Sequence, residues 1–189
     1  MSDPHFFGYG SLVNTATHAY PGAARARVTG WRRAWRHTDL RPVAFLTAEP
    51  APGSAIDGLI ARVPGADWAA LDEREAGYDR HLVTHLTEHG TEAGDIALYA
   101  IPEGRHVAPS EAHPVLQSYL DVVLQGYLQV FGEAGLRHFI ETTEGWDVPL
   151  LLDRAAPVYP RAQTLTPSQR RVIDAALDAL PLRRRAPRA

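Results

Sequence analysis

HFFGYGSL, residues 5–12, joins a short aromatic run to a turn that contains two glycines. Phe6 and Phe7 are typical of a buried strand, and Gly8 and Gly10 predict a tight turn at its end. Glycine loses more backbone freedom on folding than any other residue, so two of them in one turn carry a cost. On these residues alone, two interpretations stay open. The turn either packs in the core or lets the backbone approach a ligand, with successive N–H groups binding an anion.

Three known glycine motifs do not fit this turn. A dinucleotide-binding turn needs a third glycine where Val13 stands, and a P-loop needs a following Gly-Lys-Ser/Thr that is absent here. A nucleophile elbow centred on Ser11 needs glycines at the positions of Tyr9 and Val13. Ser11 is therefore predicted to be a loop residue and not a nucleophile.

The composition of the 189 residues predicts an ordinary globular domain. Hydrophobic residues make up 45% and charged residues 22%, which is the balance of a chain with a normal buried core. We expect one domain over residues 1–182, followed by a basic, flexible tail over residues 183–189.

Charge and residue types exclude several functional classes. The net charge of -3 argues against a nucleic-acid partner, which needs a basic face. The chain has no cysteine, so disulfides, thiolate metal sites and a cysteine nucleophile are excluded. The first residues do not resemble a signal peptide, and no apolar run is long enough to span a membrane. We expect a soluble, cytoplasmic protein that binds no membrane.

Hydrophobic patterning predicts strands in the first half of the chain and mainly helices in the second. The predicted strands are 5–8, 26–38, 42–50, 55–63, 78–89 and 95–101. Pro-Gly-Ser makes 42–50 and 55–63 a hairpin-like pair. The predicted helices are 66–75, 114–131, 134–143 and a last one that begins at the capping box Thr166-Pro167-Ser168-Gln169. Strands followed by helices indicate an α+β fold.

Three histidines recur every four residues within one predicted strand, at positions 81, 85 and 89. Four strand residues span about 13 Å, which is too far for side chains that share one ion. We therefore expect a solvated strand face and no metal site.

A second stretch, LDEREAGYDR at residues 71–80, places a carboxylate at a structural junction. A run of charged residues is usually a solvated face, and this is the interpretation of Asp72 and Glu73. Glu75 differs because it stands at the end of the predicted helix, just before Gly77 and the next strand. Such a junction can hold one carboxylate over the sheet.

Together, FGYGSL and LDEREAGY resemble the γ-glutamylcyclotransferase superfamily, in its general bacterial or ChaC-like branch. GW at 30–31, AFLTAEPAPGS and IDGLIARV fill the interval in the family's order, so the resemblance covers about residues 5–130. Leu12 stands where the animal enzymes have asparagine. The resemblance implies a small, strongly curved mixed β-sheet, nearly a barrel, with helices packed around it.

The resemblance also implies the site. Glu75 would be the catalytic base, and a further set of residues would bind substrate: Phe7, Gly8, Tyr9, Gly10, Ser11, Leu12, Tyr99 and Tyr119. The implied reaction releases 5-oxoproline from a γ-glutamyl amide by attack of the substrate's own α-amine. It requires no cofactor and no nucleophile of the protein.

The expected partner is a small γ-glutamyl compound, with an amino acid derivative, glutathione and an amine derivative as the alternatives. The expected assembly is a monomer or a homodimer. A non-catalytic module that binds a small carboxylate on the same fold is the alternative.

Overall fold

A computed structural model of the chain describes residues 3–187. Within this range there are ten strands and three α-helices. The strands, numbered in chain order, are β1 (His5–Gly8), β2 (Ala24–His37), β3 (Ala44–Arg62), β4 (Asp79–Leu82), β5 (Thr87–His89), β6 (Ile96–Ala100), β7 (Val115–Leu116), β8 (Thr143–Glu144), β9 (Pro149–Leu151) and β10 (Arg183–Arg185). The helices are α1 (Ala69–Arg74), α2 (Gln117–Glu141) and α3 (Pro167–Asp178).

The main sheet is mixed and has the order β4-β6-β1-β3-β2-β5, with β8 added to a different part of β2. The β1–β6 and β2–β8 pairs are parallel and the others are antiparallel. The sheet forms a curved half-barrel with a few helices, so the predicted α+β fold class is confirmed.

The predicted hairpin between residues 42–50 and 55–63 is wrong. Both halves belong to β3 and pair with the same neighbour, β2, in antiparallel register. Thr29 pairs with Ala55 and Trp31 pairs with Pro50, so residues 51–54 bulge out opposite the single residue Gly30. The turn residues therefore produce a wide bulge and not a reversal, because long-range pairing with β2 continues on both sides of them.

Residues 78–89, predicted as one strand, form two strands that serve different parts of the sheet. β4 pairs with β6, whereas β5 pairs with β2. A short 3-10 turn at Thr84–Leu86 separates them. This turn redirects the chain, which the alternating sequence pattern did not reveal.

The two predicted helices over 114–131 and 134–143 form the single element α2, interrupted at Gly132, where φ is 72° and ψ is -171°. The predicted start of α3 is confirmed. The Thr166 side chain accepts from the Gln169 N–H, and the Gln169 side chain accepts from the Thr166 N–H.

The prediction of a flexible basic tail is wrong for residues 183–185. They form β10, which pairs in parallel with β9, and β9 pairs in parallel with β7. The buried Leu182, just before β10, anchors the segment in the core, and Arg184 pairs with Asp178. These contacts offset the cost of ordering the segment. Residues 188–189 of the predicted tail lie outside the described residues.

The core lies between the concave face of the sheet and α2. Its largest fully buried side chains include Phe6, Phe7, Trp35, Tyr127 and Phe139. Among the helices in the described part of the chain, none is long and apolar enough to cross a membrane.

Candidate active site

The turn after β1 leads into a short 3-10 helix at Ser11–Val13, whose first N–H groups have no intrahelical partner. Within residues 3–187, the N–H groups of Gly10 and Leu12 have no acceptor, whereas that of Ser11 faces the Tyr119 hydroxyl. The loop thus presents donors to a ligand. We call residues 7–12 the glycine loop.

Both glycines are required by close packing. A Cβ atom at Gly8 would lie 2.6 Å from the Cβ of Leu12, and one at Gly10 would lie 2.8 Å from the hydroxyl oxygen of Tyr119. Real Cβ atoms essentially never approach so closely. The glycine at position 10 therefore lets Tyr119, from the first turn of α2, rest directly on the loop backbone.

Asn14 fixes the far end of the loop to α2. Its side-chain nitrogen donates to the Val122 carbonyl (3.0 Å) and to the Gln125 side chain (2.8 Å), and Asn14 is fully buried. Gly126 allows this contact, because a Cβ there would lie 2.7 Å from the Asn14 backbone nitrogen. Helix and loop are held as one unit.

A buried arginine contacts the glycine loop indirectly, through the side chain of Tyr127. Arg33 is 0% exposed and donates to the Tyr127 hydroxyl (3.0 Å), while its guanidinium lies 4.7 Å from the Phe139 ring centre. The Tyr127 hydroxyl in turn donates to the Asp57 carbonyl (2.6 Å) and lies 3.0 Å from the carbonyl oxygen of Tyr9. Burial lowers the pKa of Arg33, and these polar contacts offset that cost.

The hydroxyls of Tyr9 and Tyr99 form hydrogen bonds with other groups of the protein. The Tyr9 hydroxyl donates to the Tyr99 carbonyl (2.5 Å) and accepts from the Ala48 N–H (3.0 Å). The Tyr99 hydroxyl donates to the Asp72 carboxylate. Burial raises the pKa of both tyrosines, so both stay protonated. Both residues therefore shape the cavity, with their hydroxyls already engaged.

Glu75 ends α1, where the chain turns into β4. Its N–H donates to the Leu71 carbonyl (2.9 Å), and its carbonyl accepts from the Tyr78 N–H (2.9 Å). Gly77 has φ of 101°, a conformation that favours glycine. The Tyr78 hydroxyl donates to the Leu46 carbonyl (3.0 Å) and fastens this turn to β3. The sequence EAGY thus holds one carboxylate in a fixed place.

The Glu75 side chain is only 18% exposed. Burial raises the pKa of its carboxyl, and the positive charges of Arg74, Arg161 and Arg41 reduce that rise without cancelling it. A carboxylate with a raised pKa can accept a proton near neutral pH and return it.

Arg74 belongs to the site although the sequence pattern indicated only a charged run. Its guanidinium lies 3.2 Å from the Glu75 carboxylate and donates to the Thr17 carbonyl (2.9 Å) and to the Ser11 hydroxyl (3.3 Å). The side chain is 8% exposed. Arg74 therefore ties α1 to the glycine loop. Its position next to Glu75 was the only sequence signal for this role.

Glu75 lines two neighbouring spaces, which we call the inner cavity and the outer cleft. The inner cavity, of about 40 Å³, is lined by Phe7, Gly8, Tyr9, Gly10, Ser11, Leu12, Leu46, Glu75, Tyr78, Tyr99 and Tyr119. The outer cleft, of about 300 Å³, shares Ser11, Glu75, Tyr78 and Tyr119 with it. The cleft's other lining residues are Arg41, Pro42, Val43, Ala44, Phe45, Arg74, Ala76, Leu116, Val158, Tyr159, Pro160 and Arg161.

Asp153 positions one wall of the outer cleft. Its buried carboxylate accepts from the Ser118 N–H (2.8 Å), which caps the start of α2, and from the Val158 N–H (2.9 Å). The segment with Val158, Tyr159, Pro160 and Arg161 is thereby fixed beside Tyr119. Sequence reasoning missed this wall, because its residues are 40 positions beyond Tyr119 and carry no motif.

All nine residues predicted for the site from the sequence line the inner cavity. Their individual roles in binding and catalysis stay predictions. Among the residues that the structure describes, no three His, Asp or Glu side chains are grouped so that they could hold a metal ion.

A family model described as γ-glutamyl cyclotransferase, AIG2-like, matches residues 6–119. No curated protein sequence matches the chain.

Solved structures share the fold at low identity. One described as a γ-glutamyl cyclotransferase has a TM-score of 0.57 at 16% identity, over 93% of this chain and 99% of that chain. The human uncharacterized protein loc79017 gives 0.57 at 16% identity, over 92% and 99%. YkqA from Bacillus subtilis gives 0.57 at 18% identity, over 77% of this chain and 57% of that chain.

Proposed function

Because the chain belongs to the γ-glutamyl cyclotransferase, AIG2-like family, we propose that it is an enzyme that releases 5-oxoproline from a γ-glutamyl amide. The observation that carries the proposal is the position of Glu75. Its largely buried carboxylate lines both the cavity at the glycine loop and the outer cleft. A scissile bond at this boundary would have its glutamyl part inside and its amine part outside.

The glutamyl part is held by the loop. The N–H groups of Gly10 and Leu12 bind the substrate's α-carboxylate, as backbone donors in such turns bind anions. Burial holds the pKa of Tyr119 well above its usual value, so its hydroxyl stays protonated and can donate to a substrate oxygen. Within residues 3–187 this hydroxyl donates to no protein acceptor.

The reaction is an intramolecular acyl transfer. An α-ammonium group loses its proton only near pH 8, so Glu75 removes that proton and frees the amine. The amine nitrogen attacks the γ-carbonyl carbon and closes a five-membered ring, and the amide C–N bond breaks. Glu75 then gives the proton to the departing amine nitrogen, and the ring nitrogen passes its second proton, by way of the Glu75 carboxylate, to the released amine, which leaves protonated. The products are 5-oxoproline and a free amine, and the curled binding of the substrate supplies much of the acceleration.

The proposal is tested by incubating the protein with γ-glutamyl amino acids, glutathione and γ-glutamyl amines and detecting 5-oxoproline by mass spectrometry. We expect turnover of at least one class, and none with the Glu75→Gln variant. Binding without release of 5-oxoproline from any class would instead support a non-catalytic module for small carboxylates.

A further inference from the structure

The outer cleft carries more positive charge than Glu75 can balance. Three arginines line it, Arg41, Arg74 and Arg161, against the single carboxylate of Glu75. Arg74 is already engaged, since it pairs with Glu75 and donates to the glycine loop. Two positive charges are therefore left over for whatever occupies the cleft.

Arg41 and Arg161 have no counterion among the described residues. Within residues 3–187, no carboxylate forms an ion pair with Arg41 or Arg161, and no hydrogen-bond acceptor is found for either guanidinium. Arg161 is also half-buried. Both lie close enough to Glu75 for their charges to lower the pKa of its carboxyl. An unpaired, half-buried arginine at a ligand cleft is suited to hold a carboxylate.

Much of the remaining lining of the cleft is apolar. Its apolar lining residues include Phe45, Leu116, Val158 and Pro160. Val158 is 60% exposed, which leaves a large apolar side chain uncovered at the cleft. An apolar group of a ligand would cover it.

We propose that the amine released by this enzyme carries a free carboxylate, held by Arg161 and Arg41, and an apolar side chain that packs on the cleft wall. The inference rests on the proposed function and assigns its substrate class as γ-glutamyl derivatives of apolar α-amino acids. γ-Glutamyl amines that lack this carboxylate leave both arginines unpaired and are poor substrates.

The test compares two substrates that differ only in the carboxylate, γ-glutamyl-phenylalanine and γ-glutamyl-phenethylamine. We expect kcat/KM to be about tenfold or more higher for the first, because a charge-assisted contact to arginine is lost in the second. Equal kcat/KM values would overturn the inference and leave the proposed function intact.

Variants assign the preference to the arginines. Arg161→Ala and the double variant with Arg41→Ala should reduce the ratio of the two kcat/KM values toward one. Loss of an arginine also changes the pKa of Glu75, but this change acts on both substrates alike and therefore cancels in the ratio. Arg171→Ala, an exposed arginine of α3 outside the cleft, is the matched control and should keep the wild-type ratio. An unchanged ratio in the double variant would overturn the assignment.

A binding measurement separates the inference from catalysis. N-glutaryl-phenylalanine and N-glutaryl-phenethylamine lack the α-amine and cannot cyclise. Calorimetry should show weaker binding of the second to the wild-type protein, and a smaller difference in Arg161→Ala. If this difference in binding is found but no γ-glutamyl compound yields 5-oxoproline, the proposed function is contradicted and the inference about the arginines is not. Equal binding of the two compounds to the wild-type protein would contradict the inference.

Discussion

The guanidinium of Arg74 lies 3.2 Å from the carboxylate of its chain neighbour Glu75, and both side chains are largely buried. Burial raises the pKa of Glu75, and Arg74 is the largest of the charges that oppose the rise. The Glu75 carboxylate is therefore largely buried but can still ionise, because Arg74 stabilises its charged form. The same arginine holds the glycine loop, so the base and the loop are coupled through one side chain.

Replacing Glu75 by glutamine should remove the proton carrier without disturbing the shape of the site. We expect a fall in 5-oxoproline release of about 10²–10⁴-fold, the usual contribution of a general acid-base group. Glu73→Gln is the matched control, since Glu73 is exposed and only two residues away. Near-wild-type turnover by the Glu75→Gln variant, measured by mass spectrometry, would refute the assignment.

The pH dependence of kcat/KM should report the ionisation of Glu75. The rate should rise with pH as the carboxyl loses its proton, with a midpoint above the ordinary value of 4.5, because burial raises this pKa. A steady-state series from pH 4 to 8 checks this. An acid limb at or below 4.5 would show that another group controls the rate.

Ionisation of the Glu75 carboxyl should lower the free energy of unfolding. Its pKa is higher in the folded than in the unfolded state, so between the two values the folded state binds more protons and stability falls as pH rises. The Glu75→Gln variant should therefore have a higher Tm than wild type at pH 7.5. The difference should shrink as pH falls through the folded-state pKa and vanish below about 4.5. An equal or lower Tm at pH 7.5 would count against burial of a charged Glu75.

A methyl group at position 10 should displace Tyr119, because the Cβ would lie 2.8 Å from its hydroxyl oxygen. We expect Gly10→Ala to weaken binding of 5-oxoproline, and Gly10→Val to abolish it. Adding Tyr119→Phe should restore part of the loss in Gly10→Ala, which a double-mutant cycle by calorimetry would detect. Gly90→Ala, where nothing lies within 4 Å, is the control. Unchanged affinity in Gly10→Val would remove the loop from the binding site.

Removing Arg33 should be far more harmful than removing its neighbour Arg32. Arg33→Ala leaves a cavity and strips several buried polar groups of their partner, at a cost of about 3 kcal/mol or more. The Arg32 side chain is 38% exposed and pairs with Glu144 and Glu49 near the surface, so Arg32→Ala should cost about 1 kcal/mol or less. Urea unfolding measures both values, and similar costs would contradict a supporting role for Arg33.

Much of the fold follows from local patterns in the chain. The aromatic run before Gly8 predicts a buried β1, and the capping box at Thr166 and Gln169 predicts the first residue of α3. Both elements are specified by interactions within a few residues, so they depend little on contacts with distant parts of the chain.

Two of the errors come from long-range contacts. Residues 51–54 have the composition of a hairpin turn, yet pairing of both flanks with β2 makes them a bulge. Residues 183–185 have the composition of a frayed tail, yet β9 offers them a free edge. No local pattern shows which strand will be available as a partner.

Within the site, the sequence motifs predict residues that line the inner cavity, but not those that line only the outer cleft. Glu75 and the glycine loop stand in recognisable contexts, next to glycines at element ends. Arg74 is hidden in a charged run that normally faces solvent. Arg161 is brought to the site by contacts of its segment with the start of α2, among them the hydrogen bonds from Ser118 to Asp153 and from Tyr159 to Ser118.

The family match ends at residue 119, whereas the wall with Val158 and Arg161 lies beyond it. Arg41, Phe45 and Leu116 lie within the matched stretch, so only part of the cleft proposed to recognise the departing amine lies beyond it, in the wall held by the carboxylate of Asp153. Changes confined to this wall can therefore alter recognition of the amine while leaving the residues proposed to move the proton unchanged. For protein engineering, residues 155–161 are the segment to exchange, provided that Asp153 and Arg154 are kept, since Arg154 pairs with the buried Asp121 of α2.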